Sequence, residues 1–166
     1  MIGTKFYKDN YDSAEYADCA IWCNENNAMI NDMGEYYEVV EIPGPTLEEL
    51  RAQKLEKAGI TFAEKRDAIR WIAVSDNNTY GFDCKNEDIT NFFAAWKAAE
   101  KVGNTSYKVW ISETEKSVII LQLADFDTVF DTVRTSQLEA YAWYEEIRTK
   151  INKAKSENEL KTITIK

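Results

Sequence analysis

The amino-acid sequence predicts an α+β protein: a small N-terminal β-α-β-β unit, a spacer helix, and a C-terminal helical domain with a β-hairpin and a long terminal helix. Three observations predict it. Runs rich in β-branched and aromatic residues, such as Tyr36-Tyr37-Glu38-Val39-Val40, alternate with stretches of helical spacing. Pro43-Gly44-Pro45 can neither continue a strand nor sit deep in a helix, so it marks a joint. From about Asp125 to about Ala154, apolar residues recur every seven positions with no breaker between them.

The expected organisation is a docking unit over residues 1–45, a spacer helix over 46–60 and a tail domain over 61–166. In the first region, Thr4–Tyr7 reads as a short strand. Asp12 caps the helix that follows, and Glu15 completes the D-x-x-E spacing of a capping box. That helix ends near Asn26-Asn27, and Ala28–Ile30 and Glu35–Ile42 read as strands around a turn at Asp32-Met33-Gly34. The region is acidic: Asp9, Asp12, Glu15, Asp18, Glu25, Asp32, Glu35, Glu38 and Glu41 are set against Lys5 and Lys8.

Thr46-Leu47-Glu48-Glu49 is a second capping box and opens a helix through about Ala58, with Leu47, Leu50 and Leu55 as a thin apolar stripe. So polar a helix reads as a spacer, ended or kinked at Gly59. Phe62–Ala73 fits a further helix, Tyr80–Cys84 a short strand, and Asp88–Lys101 a helix broken at Gly103-Asn104. Tyr107–Ser112 and Ser117–Gln122 read as a hairpin. Its second strand, with Val118-Ile119-Ile120-Leu121, is apolar on both faces and is expected in the interior.

The terminal helix carries Phe126, Val133, Ala140, Ile147 and Ala154 in one register and Phe130, Gln137, Tyr144 and Ile151 in the offset one. This is an a/d-type seam on a helix about 45 Å long, longer than a small domain is wide. Part of it is expected to project and to need a partner, either the spacer helix or the same helix of another copy; the alternative is packing within the chain against the Phe92–Trp96 helix. Tyr141, Trp143 and Tyr144 crowd one stretch, so at least one of them is expected at an interface. The candidate interface is therefore Phe126, Phe130, Val133, Gln137, Tyr141, Trp143, Tyr144, Ile147 and Ile151. Ser156-Glu157-Asn158-Glu159 opens a short last helix with Leu160 and Ile163.

Composition narrows the chemistry. At 166 residues, 45% hydrophobic and 13% aromatic, the chain can bury a core without metal or disulfide help. A formal charge of -9 with no basic patch argues against nucleic acid as a partner. No apolar run of about 18 residues is present, so no membrane span is expected, and the N-terminus carries no apolar signal region. The absence of histidine removes the commonest general base and the commonest metal ligand, and with it any Ser-His-Asp or Cys-His arrangement.

Phosphate-binding glycine patterns do not occur, and Asp76-Asn77-Asn78 does not meet the calcium-loop pattern. Cys19, Cys23 and Cys84 lack the further ligands a zinc site needs and read as buried thiols. Carboxylate pairs, all that a glycosidase requires, abound but read as solvated surface charge. Glycan stacking on Trp143 or its neighbours is a weaker reading than an interface, because a helix side is convex.

Several motifs occur in a telling order: Lys65-Arg66-Asp67-Ala68, Tyr80-Gly81-Phe82-Asp83, Glu87-Asp88-Ile89, Val109-Trp110-Ile111, Ile119–Leu123 with Ala124-Asp125-Phe126, and a close on Ile151-x-x-Ala154 and Glu159-Leu160-x-x-Ile163. From about Phe62 to Ile163 this resembles an uncharacterised module at the C-terminal end of many phage and prophage tail-fibre or tail-associated proteins. Ala20–Asn26, Glu35–Val40 and Pro43–Leu50 likewise resemble small phage tail proteins.

The resemblance implies no catalytic residue and no cofactor. The residues, with no histidine and no catalytic pattern, lead to the expectation of a non-enzymatic protein, and the resemblance implies its context: an accessory or adaptor of the tail fibre or baseplate, made in the bacterial host cytoplasm and carried in the virion tail. Other tail and fibre proteins are the expected partners. Homo-oligomers are also expected, with a trimer suiting a fibre. The alternatives are a tail-fibre assembly chaperone or a host-surface glycan-binding module.

Overall fold

The computed structural model describes residues 1–166 and shows a mixed α/β chain with five helices and two antiparallel sheets. It divides into two units, Met1–Thr46 and Leu47–Lys166. No helix is long and apolar enough to cross a membrane.

The first unit contains β1 (Lys5–Tyr7), α1 (Ser13–Glu25), β2 (Ala28–Asp32) and β3 (Tyr36–Glu41), with strand order β1-β3-β2. The Asp12 carboxylate accepts the amides of Ala14 at 2.7 Å and Glu15 at 3.3 Å, which satisfies two donors a helix start leaves free. The tight turn before β3 needs Gly34 at φ +93°, and Asp32 closes it by accepting the Gly34 amide at 2.8 Å. Phe6, Cys19, Cys23, Ala28 and Val39 form a small core. Aromatic rings widen it: Tyr16 meets Phe6 edge-on at 5.3 Å and Tyr37 at 5.5 Å. Such pairs add about 0.5–1.5 kcal/mol each beyond their buried area.

The second unit contains α2 (Leu47–Asp67), β4 (Arg70–Ala73), β5 (Thr79–Phe82), α3 (Asn86–Val102), β6 (Asn104–Trp110), β7 (Lys116–Gln122), α4 (Leu123–Lys153) and α5 (Glu157–Thr162). Its sheet runs β4-β5-β6-β7. Ile72, Phe82, Val109 and Leu121 from the four strands meet Phe92 and Ala99 of α3 and Phe126 and Val129 of α4 in one buried core. Gly103 ends α3 in the left-handed conformation, and β6 begins at the next residue. Gln122 ends β7 and Leu123 starts α4, whose first amide donates to the Gly103 carbonyl at 2.9 Å. Asp125, 4% exposed, accepts the amides of Gln122 and Ser75 at 2.8 Å each and the Ser75 hydroxyl at 2.9 Å. One carboxylate thus caps α4 and ties it to the β4–β5 loop.

Three expectations are corrected. Residues 46–60 are not a spacer: α2 runs through Gly59 to Asp67 and packs in the second unit. The helix expected over Phe62–Ala73 stops at Asp67, and Arg70–Ala73 is a strand. Trp71, Ile72 and Val74 favour a pleated surface, and Ile72 and Val74 face the core on alternate positions. Finally, β7 is an edge strand, with Val118 63% and Ile120 65% exposed. Helices cover only the face of this sheet that carries Leu121, so the other apolar face of β7 is bare.

Candidate interaction surfaces

The long-helix seam turns inward along its whole length. Phe126 is fully buried under Phe92 at 5.1 Å, and Phe130 and Val133 pack on the same core. The Gln137 amide donates to the Cys84 carbonyl at 3.2 Å, so this polar seam residue is held inside its own chain. Tyr144 stacks on Phe62 at 4.9 Å. Ile147 and Ile151 close against Ala58, Ala154 and Leu160.

The partners of the seam lie within the chain: α3 covers its first half through Phe92, Phe93 and Trp96, and α2 covers its second half. The basic side chains of α2 reinforce the contact: Arg51 donates to the Ala154 carbonyl at 2.5 Å, and Lys54 donates to the Leu160 carbonyl. Cations at helix C-termini are favoured there. Burial pulls Lys54 below the ordinary lysine range. These contacts are all made within one chain. Tyr141, edge-on to Phe62 and 50% exposed, is the exposed member of the predicted set. Trp143 is half-buried, with the Lys65 ammonium 5.1 Å from its ring centre.

The apolar surface lies instead on the outward face of the second sheet. Trp71, Gly81, Trp110 and Lys116 form one row across all four strands. In the next rows Val118 pairs with Lys108 and Ile120 with Ser106. A Cβ on Gly81 would lie 2.9 Å from both Ile69 Cγ2 and Trp110 Cβ, and 3.3 Å from Trp71 Cε2. Gly81 is therefore what lets two indoles and Ile69 close over the backbone.

Asp83 fixes the far end of the row. It accepts from Trp110 Nε1 at 2.9 Å and from Lys116 Nζ at 2.5 Å, and Lys116 lies 4.3 Å over the Trp110 ring. Burial alone would raise the Asp83 pKa. The Lys116 and Trp110 hydrogen bonds outweigh it and hold the carboxyl below its ordinary range.

A second feature is a cleft of about 280 Å³ between α3 and α4. Ile89, Phe92 and Phe93 form one wall, and Val129, Phe130 and Val133 the other. Phe82 and Asp83 also line it, together with Arg134 and Gln137.

No group of three or more carboxylate or thiol side chains is placed to hold a metal ion. Cys19, Cys23 and Cys84 are buried and unpaired, and burial pushes the Cys19 and Cys84 thiols up. Tyr107, packed among Phe82, Phe92 and Phe126, is pushed up to about 12 by burial. A phenol so held stays protonated and serves packing.

Comparison with protein-family models, with characterised proteins and with solved structures finds no match. The residues must carry the functional argument themselves. Sequence reasoning missed the outward face because Val118–Leu121 shows no alternation. The partner strand does: polar Ser106 and Lys108 alternate with Tyr107 and Val109. That pattern marks one face of the hairpin as open.

Proposed function

We propose that this chain is a non-enzymatic structural protein of a phage or prophage tail, an adaptor of the fibre or baseplate that acts through protein–protein contact. The tail context rests on the motif order from about Phe62 to Ile163 and its resemblance to the tail-associated module. The contact mode rests on one observation: an outward sheet face with Trp71, Val118 and Ile120 exposed, ending on an edge strand whose one charge, Lys116, is held by Asp83.

Natural edge strands blunt themselves with charge, proline or a bulge. Ser117-Val118-Ile119-Ile120-Leu121 has no charged residue and no proline. Two copies of β7 paired antiparallel about Ile119 set Val118 opposite Ile120 twice and Lys116 opposite Gln122 twice. No like charges meet, and apolar cross-strand pairs of this kind each add about 0.2–1 kcal/mol. The homo-oligomer of this reading therefore forms through β7 and is a dimer, in place of a trimer through the α4 seam.

Sedimentation at micromolar concentration is expected to show a dimer, and Ile120→Lys a monomer with unchanged circular dichroism. A wild-type monomer throughout the micromolar range counts against the β7 contact. Mass spectrometry of purified virions tests the tail assignment: an adaptor is present at fixed copy number, whereas an assembly chaperone is absent.

A further inference from the structure

The cleft between α3 and α4 has a chemistry the outward sheet face lacks. Its walls are apolar and largely aromatic, with Phe92, Phe93 and Phe130 converging on it. At about 280 Å³ it lies at the small end of ligand pockets, room for one bulky side chain but not for a larger organic ligand. Its mouth carries Arg134.

Four of the five arginines are engaged within the chain: Arg51 with Ala154 and Glu48, Arg66 with Asp67, Arg70 with Ser136, and Arg148 with Glu145. Arg134 has no hydrogen-bond or ion-pair partner, on a chain with 29 carboxylates. The one carboxylate that lines the cleft, Asp83, is already held by Lys116 and Trp110. The Gln137 amide is likewise committed, to the Cys84 carbonyl. What the cleft lacks is an apolar body with an anion beside it.

We infer that this cleft binds a peptide segment of a partner protein, seating an aromatic side chain between α3 and α4 and a neighbouring carboxylate on Arg134. Aromatic walls favour an aromatic guest through edge-to-face and offset packing. The guanidinium favours a carboxylate, which it can grip through two parallel hydrogen bonds. The cleft opens on the helical side of the second unit and β7 lies at the sheet edge, so the inference stands independently of the proposed dimer and of the tail assignment.

The test is an NMR titration of the full chain with Ac-Gly-Asp-Phe-Gly-amide, its Asp→Asn analogue and its Phe→Ala analogue. Saturable shifts are expected at Phe93, Val133 and Arg134 with the first peptide. Affinity is expected to fall about ten-fold with the Asn analogue, the loss of one charge-assisted contact, and to vanish with the Ala analogue. Arg134 is exposed, so Arg134→Gln is expected to fold normally and to bind the Asp and Asn peptides equally. Val133→Trp, which fills the cleft, is expected to abolish the shifts. Absence of cleft shifts at millimolar peptide, or equal affinity of the wild type for the Asp and Asn peptides, overturns the inference.

Discussion

Asp83 shows how one side chain sets a surface. It holds Trp110 by its indole nitrogen and Lys116 by its ammonium, so it orders the end of the outward row. Its folded pKa is depressed, so its stabilisation is complete above the ordinary carboxylate range near pH 4 and is lost as pH falls through the folded value. Asp83→Asn is therefore expected to cost about 1 kcal/mol at pH 7, where Lys116 loses its charge partner. The difference from wild type is expected to shrink below about pH 4. Urea midpoints at pH 7 and pH 3 read both values, and a gap that does not narrow in acid would exclude the ion pair as its source. Asp67, held down first by its hydrogen bonds from Arg66, loses its contribution in the same direction. None of this was legible in the sequence. Asp83 lies 27 positions from Trp110 and 33 from Lys116, and only the sheet brings them together.

At the level of elements, local signals were sound where they act over one turn. Asp12, Ser156 and Gly103 sit at the helix ends their chemistry predicts. The reading failed where long-range packing decides. Gly59 looked like a stop, yet α2 passes through it because Leu55 and Ala58 before it and Phe62 after it all pack on α4 or α5. A methyl there meets nothing within 4 Å, and its φ is not left-handed. Gly59→Ala is thus expected to stabilise the second unit by about 0.5–1 kcal/mol, read as a higher thermal midpoint. An unchanged or lower midpoint would mean that the glycine serves the packing. The α4 seam illustrates the same limit from the other side. Its period was plain, but periodicity gives the face of a helix and says nothing about which chain covers it.

Across the whole molecule, charge is divided unevenly. The carboxylates from Asp9 to Glu41 oppose Lys5 and Lys8 alone, so most of the net charge of -9 sits on the first unit. The Pro43-Gly44-Pro45 joint was readable because proline excludes both regular structures. Residues 42–46 are exposed and outside any helix or strand. Brief digestion with a broad-specificity protease is expected to cut there first and to release a fragment starting near Leu47, identified by its mass. First cuts elsewhere would mean that a protein contact shields the joint.

The abrupt joins around the hairpin bear on how the chain reaches its native state. One glycine separates α3 from β6, and nothing separates β7 from α4. Residues 86–122 and the first turns of α4 therefore meet mostly their sequence neighbours, and closing their contacts costs little loop entropy, whereas the rest of α4 packs on α2. Folding is expected to nucleate in this stretch, with β4 and α2 docking onto it afterwards. In native-state hydrogen exchange the slowest amides then belong to β6, β7 and the first turns of α4, whereas those of β4 exchange sooner.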